Sequence, residues 1–318
     1  MKSGLAIKVA ESEQANKVRE AIKILLDKAQ NDGSLNEPFT GELKKKGEGF
    51  IKPNTEVASK TLTGFQTETF LDGLFLDGES KSINGIPNAS NVLLTGLPNS
   101  GKTLLITEMA LRIASRGKKT AFISTEDIFR ADSTRYDLES RMREKAKILN
   151  LDWKTISENL FVIDVVANAE LRDFTTFVQT YRALVETEKV EVVLMDSITQ
   201  LEDTRGAIKY RLLELCRYNQ KHGITAFFVA QRAIEETDGF AISGGLGLSH
   251  IVDIVMELDY KKLSSWDSAI KQDISAKQGE IAYFFRVLKC RICKFDAHYF
   301  SYQVNNDGLI TFSPRIVK

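Results

Sequence analysis

Eight consecutive residues at positions 96–103, Gly-Leu-Pro-Asn-Ser-Gly-Lys-Thr, have the types and spacing needed to hold phosphate groups. Their glycines let successive main-chain N–H groups curl around an anion, and the amino end of a following helix adds partial positive charge. Lys102 would reach the terminal phosphates, and the Thr103 hydroxyl would coordinate Mg²⁺. The chemistry indicated is the binding of a nucleoside triphosphate and its metal ion.

The segments on either side of the loop support this prediction. Residues 91–95 are a short apolar run of strand type, and residues 102–116 carry apolar side chains at helical spacing. A chance glycine turn before a core helix is the alternative, but strand, loop and helix in this order favour a phosphate site. The residues predicted to bind ATP are Gly96, Leu97, Pro98, Asn99, Ser100, Gly101, Lys102, Thr103 and Leu104.

A carboxylate follows a second apolar run, in the arrangement known as Walker B. Residues 190–195 lead directly into Asp196. At the end of such a strand, Asp196 would hold Mg²⁺ together with Thr103, directly or through water. An aspartate in a turn is the alternative, and its pairing with the phosphate loop favours a magnesium site.

A third predicted strand, residues 122–125, leads into Glu126. Hydrolysis needs a group beside the γ-phosphate that positions water, and Glu126 is the predicted catalytic base. Asp127 could substitute, although its side chain should point elsewhere. A surface charge is the other interpretation, because acidic residues are common on protein surfaces.

Gln231 ends the last of these apolar runs. Its amide would hydrogen-bond the γ-phosphate and report its loss to the glycine-rich loop at 237–247, unless that loop is only a long connection. The loop carries no Lys or Arg, which argues against strong binding of single-stranded DNA. A basic contact remains open at Arg205, Lys209 and Arg211.

Positioning these side chains requires a sheet that brings several strand ends together. Near-continuous Val, Ile, Leu and Phe runs alternate with helical segments, which predicts an α/β fold with a mostly parallel sheet and helices on both faces. The predicted strands are 92–95, 120–124, 160–166, 190–195 and 225–230, and the predicted helices are 102–116, 133–149, 171–187 and 206–222. Later strands at 250–258, 282–289, 298–304 and 309–312 predict an antiparallel C-terminal extension, with a short helical insertion within 261–279.

Residues 1–62 differ from the predicted core at 63–318. Val18, Ile22 and Leu25 lie at helical spacing, and residues 42–49 have the composition of a solvated linker. Because one helix cannot form its own core, this N-terminal extension should pack on the main domain or on a neighbouring subunit.

Composition excludes some classes of protein. Lys plus Arg and Asp plus Glu both total 43, so net charge does not indicate a dedicated polyanion binder. No apolar run reaches membrane-spanning length. Three cysteines and no signal peptide predict a cytoplasmic protein.

Cys290 and Cys293 form a Cys-x-x-Cys pair. Zinc is disfavoured, because residues three apart on a strand face opposite sides, no second such pair exists, and His298 is the one nearby candidate ligand.

Taken together, residues 65–313 resemble the RecA/RadA/KaiC family of P-loop ATPases. The resemblance is carried by Gly-Ile-Pro at 85–87, Ile-Ser-Thr-Glu at 123–126, Leu-Met-Asp-Ser at 194–197, Ser-His-Ile-Val-Asp-Ile-Val at 249–255 and Arg-Val-Leu-Lys-Cys-Arg at 286–291. It implies a RecA-type P-loop NTPase core in a homo-oligomeric ring or filament that hydrolyses ATP slowly at subunit interfaces.

In this family a Lys-x-Arg element reaches across a subunit boundary to the neighbour's γ-phosphate. Lys289 and Arg291 match it, and two residues apart on a strand they would share one face, as a cationic clamp requires. The alternative is two solvated charges on an edge strand.

The resemblance implies a KaiC-like regulatory or scaffold ATPase that docks a protein partner. The alternative is a RadA-like ATPase that binds single-stranded DNA in recombination or repair, but a helix-hairpin-helix or zinc-ribbon module is missing. A second ATPase copy and an autophosphorylated Ser-Thr pair are also missing. A third alternative is a pseudoenzyme that binds nucleotide without hydrolysing it, and it would require a misplaced Glu126.

The adenine ring of ATP would also need a contact. Arg130 or Arg135 would cover one face of that ring.

Overall fold

The computed structural model describes residues 61–131, 136–201, 207–231, 248–274 and 277–313. The predicted N-terminal extension, the glycine-rich loop at 237–247, Arg135 and Arg205 lie outside these ranges. A domain boundary at residues 62 and 63 therefore stays a prediction.

Alternating strands and helices make up the described core. Its strands are β1 (Gly64–Phe65), β2 (Phe75–Leu76), β3 (Ile86–Pro87), β4 (Asn91–Gly96), β5 (Thr120–Ser124), β6 (Leu160–Asp164), β7 (Val192–Asp196), β8 (Thr225–Gln231), β9 (Ile254–Lys262), β10 (Ile281–Cys290), β11 (Lys294–Phe295), β12 (Phe300–Val304) and β13 (Ile310–Phe312). Its α-helices are α1 (Lys102–Ser115), α2 (Leu138–Ile148), α3 (Trp153–Asn159), α4 (Phe174–Glu188), α5 (Ala207–His222), α6 (Leu248–Ile251) and α7 (Ser268–Ile274). Short 3₁₀ helices cover Phe70–Gly73, Ala169–Arg172 and Ile198–Leu201.

The described strands include a nine-stranded sheet in the order β13-β12-β10-β9-β4-β8-β7-β5-β6. The six strands from β9 to β6 run parallel, and β10, β12 and β13 are antiparallel to their neighbours. This arrangement confirms the predicted α/β class with an antiparallel C-terminal extension. Two separate two-stranded sheets are also present, in which β1 pairs with β3 and β2 pairs with β11.

Helices cover both faces of the sheet, which explains why β4, β5 and β7 are buried along their whole length. On one face, α1, α2 and α3 pack in a cluster that takes Val92 and Leu94 from β4. On the other face, α4 and α5 pack in a cluster that takes Leu93. Because successive side chains of β4 point to opposite faces of the sheet, this one strand contributes to both hydrophobic clusters. None of the described helices is long and apolar enough to cross a bilayer.

The strand expected at 250–258 was placed wrongly. Residues 248–251 form α6, and β9 begins at Ile254 and pairs parallel with β4, with Val92 opposite Ile254. The chain returns to the end of the sheet where β4 begins before β9 starts. β9 therefore runs in the same direction as β4 and adds one more strand to the parallel region of the sheet. The antiparallel extension begins one strand later, at β10.

Two helix boundaries also differ from the sequence prediction. Helix α2 begins at Leu138 rather than at residue 133, because the Asp137 carboxylate caps it by accepting from Ser140 N over 2.9 Å. Helix α3 was missed, although Asp152 provides a similar cap for it. The expected helical insertion is present as α7.

Candidate functional site

The carboxyl ends of four neighbouring strands meet at one edge of the sheet, as expected at a ligand crevice of an open α/β sheet. In the order β4, β8, β7 and β5, Gly96 lies opposite Gln231, and Asp196 lies opposite Ser124. A cavity of about 900 Å³ opens at this edge. The predicted site residues that line it are Pro98, Asn99, Gly101, Lys102, Thr103, Leu104, Glu126, Asp196 and Gln231.

The phosphate loop turns where the sequence supplies its glycines. Gly96 has φ 154° and Gly101 has φ 94°. A Cβ on Gly96 would lie 1.9 Å from the main-chain oxygen of Leu258, so no larger residue fits there without movement of β9. Asn99, with φ 62°, is a residue type that tolerates this region.

Two residues that the sequence reasoning missed hold this loop, one from β9 and one from β12. The buried Asp259 carboxylate accepts a hydrogen bond from Leu97 N over 3.3 Å, and the Tyr302 hydroxyl donates to the Ser100 carbonyl. Asp259 lies within β9 after a mostly apolar stretch, whereas Asp196 ends β7, and this stretch was the available signal. Nothing in the local pattern identified Tyr302, which lies 202 residues from Ser100 in the chain.

Lys102 is held in place by the loop that it follows. Its Nζ donates to Leu97 O over 2.6 Å and to Gly96 O over 3.0 Å, and it lies 3.2 Å from Ser100 Oγ. The side chain is buried, with 6% of its surface exposed. Its ammonium group is therefore positioned at the loop before any phosphate arrives, which limits the reorganisation that binding requires.

Asp196 and Thr103 both line the cavity, and the Asp196 carboxylate lies near the carboxylate of Glu126. The pKa of Asp196 is raised to about 6, mainly by burial and also by the charges of Glu126 and Asp127, while a hydrogen bond with Thr103 and the charge of Lys102 act in the opposite direction. A bound cation would relieve this unfavourable concentration of negative charge.

These oxygen donors fit Mg²⁺. Among the described residues, no cluster of three or more His, Cys, Asp or Glu side chains could enclose a metal. Mg²⁺ is usually held by one or two protein oxygens together with water and phosphate oxygens. Asp196 and Thr103 would supply the protein part of such a shell.

Glu126 and Asp127 point in different directions. Glu126 lines the cavity and lies 3.4 Å from Gln200 Nε2, while Asp127 forms an ion pair of 2.7 Å with Arg141. Of these two adjacent carboxylates, only that of Glu126 faces the cavity where a phosphate would bind.

An apolar wall that the sequence reasoning missed closes the other side of the cavity. Ile281 and Tyr283 of β10 and Val304 of β12 line it, with 62%, 41% and 45% of their surfaces exposed. Large apolar side chains exposed beside a phosphate loop suit the flat face of a nucleobase. Arg130, one candidate for that role, instead forms an ion pair of 2.6 Å with Glu139.

Lys289 and Arg291 lie at the opposite edge of the sheet. Cys290 pairs with Ile254, which pairs with Val92 at the amino end of β4. About five strand residues, or roughly 16 Å, separate that end from the loop, more than a lysine or arginine side chain spans. The structure therefore does not bring these two cations to the cavity of their own chain.

Both cations are instead bound to main-chain oxygens at α6. Lys289 Nζ donates to Ser249 O over 2.5 Å and to Val252 O over 2.8 Å, and the Arg291 guanidinium donates to His250 O. Burial and the charge of Arg291 lower the pKa of Lys289. Arg291 lies just beyond the end of β10, so the two residues do not share a strand face as predicted. The side chains of Lys289 and Arg291 nevertheless both contact residues 249–252.

Comparison with known proteins identifies relatives in sequence and a similar fold. A protein described as UPF0273 from Pyrococcus horikoshii is 23% identical over 241 residues, covering 74% of this chain and 90% of the relative. The DNA repair protein RadA of Campylobacter jejuni is 24% identical over 178 residues, which is 54% of this chain but 34% of RadA. A crystal structure of a KaiC-like protein from Pyrococcus horikoshii OT3 matches the fold with a TM-score of 0.58 and 16% identity, covering 80% of this chain and 100% of that one.

The model of the family described as "ATPase: KaiC" matches residues 68–315. This match contains the phosphate loop, the strands that carry Glu126, Asp196 and Gln231, and the described C-terminal extension. The chain therefore belongs to the KaiC family of ATPases.

Proposed function

We propose that this protein binds Mg²⁺-ATP in the cavity at the carboxyl edge of the sheet and hydrolyses it to ADP and phosphate. The observation that carries the proposal is the convergence of an ammonium group, a hydroxyl, two carboxylates and an amide on one cavity. They come from Lys102, Thr103, Asp196, Glu126 and Gln231.

Each of these groups has a distinct role in the proposed reaction. Lys102 neutralises charge on the terminal phosphates, and Thr103 with Asp196 holds Mg²⁺, which supplies further charge stabilisation when bound. Glu126 accepts a hydrogen bond from the attacking water and orients it toward the γ-phosphate. Gln231 contacts the γ-phosphate and transmits its loss to the segment that follows β8.

We propose that hydrolysis takes place at an interface between copies of the chain. Lys289 and Arg291 lie at the edge of the sheet away from their own phosphate loop. A neighbour packed against that edge could receive both cations at its nucleotide. An ATP molecule that contacts two subunits favours the assembled state, so the nucleotide would control assembly.

The proposed cellular role is that of a KaiC-like oligomeric switch, in which bound ATP sets assembly and the docking of a protein partner. Equal numbers of acidic and basic residues support this role over sequence-independent DNA binding. The match to RadA supports the second candidate, an ATPase that acts on single-stranded DNA.

One experiment separates these functions. The mass of the purified protein in solution and its rate of phosphate release would be measured without nucleotide, with Mg²⁺-ATP, and with Mg²⁺-ATP plus oligo-dT. We expect slow turnover, a larger assembly with ATP, and no effect of oligo-dT.

Stimulation of turnover by oligo-dT, lost at high salt, would favour the recombinase-like function. Failure of a fluorescent ATP analogue to bind would reject a nucleotide site altogether. Binding without phosphate release would leave a nucleotide-dependent scaffold and exclude the enzyme.

A further inference from the structure

Cys290 and Cys293 lie side by side at the end of β10. Their Sγ atoms are 3.7 Å apart, and both side chains are half-buried against the core. The expectation that they face opposite sides of a strand was wrong, because β10 ends at Cys290 and the chain turns before β11. The pair therefore spans the turn that connects the central sheet with the β2–β11 sheet.

The described residues do not indicate a metal site at this pair. Among the residues that the structure describes, no third His, Cys, Asp or Glu completes a set that could hold an ion. The imidazole of His298 contacts the carboxylate of Asp296. Two thiols in contact and without further ligands are suited to form a disulfide.

The turn between the two cysteines carries Arg291. Its main-chain N–H donates to Asp253 O over 3.0 Å, and its guanidinium donates to His250 O. To reach a phosphate on a neighbouring subunit, the Arg291 guanidinium must leave His250 O, and the main chain of the turn sets how far the side chain can then extend.

We infer that Cys290 and Cys293 form a reversible disulfide that keeps Arg291 bound at α6 and thereby lowers ATP turnover. A disulfide brings the two sulfurs from 3.7 Å to about 2.05 Å, which closes and stiffens the turn that holds Arg291. The effect on turnover rests on the interface function proposed above, whereas formation of the bond does not.

The oxidant in this step is a low-molecular-weight disulfide. The Cys290 thiolate attacks one of its sulfurs, forming a mixed disulfide and releasing one thiolate. Cys293 loses its proton and attacks the Cys290 sulfur, which releases the second thiolate. Two protein thiols are oxidised to one disulfide, and the oxidant is reduced to two thiols. Burial and the nearby Cys290 raise the pKa of Cys293, so the Cys293 thiol is a poor first nucleophile and acts in the second step.

Formation of the bond can be tested without any activity measurement. The full chain would be incubated with oxidised glutathione, alkylated, and digested with trypsin, which cleaves after Lys289, Arg291 and Lys294. A disulfide would join the peptides Cys290-Arg291 and Ile292-Cys293-Lys294. The number of free thiols in the denatured protein should fall from three to one.

The effect on the reaction is tested on the same samples. We expect oxidation to lower turnover about tenfold or more, the scale of losing a cation at the transition state, and dithiothreitol to restore it. The Cys290→Ser/Cys293→Ser double variant should keep its turnover under oxidant. The matched control is Cys216→Ser, since Cys216 is buried in α5, and this variant should respond as the unmodified protein does.

Three free thiols after incubation with excess oxidant would overturn the inference. Linked peptides with unchanged turnover, in a protein where Arg291→Ala abolishes turnover, would overturn the inhibitory effect. A fully active Arg291→Ala variant would instead reject the interface function, and the linked peptides would still establish the disulfide.

Discussion

The Thr125 hydroxyl joins the ends of two strands that carry the predicted chemistry. Its Oγ1 lies 2.7 Å from the main-chain oxygen of Asp196 and accepts a hydrogen bond from Ser197 N over 2.6 Å. The Thr125 main-chain N–H also donates to Asp196 O over 2.9 Å. Because Glu126 is the next residue, one buried hydroxyl sets the separation between the proposed water-orienting carboxylate and the proposed magnesium ligand.

Replacing this hydroxyl tests that relationship. Thr125→Val keeps the shape of the side chain but leaves Ser197 N without its partner, so we expect a loss of about 1–3 kcal/mol in the free energy of unfolding. Turnover should fall more than ATP affinity does, since the phosphate loop is untouched. The measurements are denaturant unfolding and steady-state phosphate release.

Thr125→Ser restores the hydroxyl and serves as the control. If the valine variant matched the wild type in stability and turnover, Thr125 would not position the two carboxylates.

Lys102→Ala should abolish measurable ATP turnover. The variant removes the ammonium group that the loop holds against Leu97 and Gly96, and a preorganised cation at a phosphate contributes strongly to the transition state. Phosphate release by the purified variant checks this result. Lys118→Ala is the matched control, because the exposed Lys118 pairs with Glu191 outside the cavity, and it should be fully active. Normal turnover in Lys102→Ala would show that the cavity is not the site of hydrolysis.

Glu126→Gln should bind ATP normally but lower turnover by about a hundredfold or more, the scale of losing a positioned general base. Binding of a fluorescent ATP analogue and single-turnover hydrolysis separate the two effects. Asp127→Asn is the adjacent control and should keep most of its activity, because Asp127 pairs with Arg141. Equal losses of binding and turnover in Glu126→Gln would make Glu126 a structural residue.

Mixing two inactive variants tests the subunit interface. An equal mixture of Lys102→Ala and Arg291→Ala should recover about a quarter of wild-type turnover, since a quarter of randomly formed head-to-tail interfaces pair an intact loop with an intact Arg291. Turnover per subunit should also rise with protein concentration until assembly is complete.

The control replaces Lys102→Ala in the mixture with the Lys102→Ala/Arg291→Ala double variant, which offers no intact interface. If mixtures shown to co-assemble recovered no turnover, the cations that act on the γ-phosphate would have to come from the same chain as the phosphate loop.

Asp137 should make stability depend on pH. Hydrogen bonds from Ala131 N and Ser140 N lower its pKa to about 2, so the carboxylate stabilises the fold above pH 4 and loses that effect as pH falls toward 2. Asp137→Asn should cost about 1 kcal/mol in the free energy of unfolding at pH 7, and this difference should shrink in acid.

Denaturant unfolding of both proteins at pH 7, 5 and 3 measures this difference. The exposed Glu144 in the same helix is the control, and Glu144→Gln should change stability by less than about 0.5 kcal/mol at pH 7. A difference between Asp137→Asn and wild type that stays constant with pH would contradict the role of the ionised carboxylate.

Local sequence was sufficient for the phosphate loop. Positions 96–103 form a contiguous motif whose glycines, lysine and threonine act through their spacing along one turn, so its place between β4 and α1 was predicted correctly. The parallel sheet was also predictable, because helices covering both faces require strands that are apolar on both sides. Since strands of one direction end at one edge, the meeting of Glu126, Asp196 and Gln231 followed as well.

Tertiary structure decided what depends on residues far apart in the chain. The direction of β9 placed Asp259 against the loop at Leu97, and pairing within the extension brought Tyr302 to Ser100. The same pairing moved Lys289 to the edge opposite the loop. Strand direction and register arise from contacts over long sequence separations, which no local pattern encodes. The chemistry of the cavity could therefore be read from short segments, but its anchors, its apolar wall and its relation to a neighbour could not.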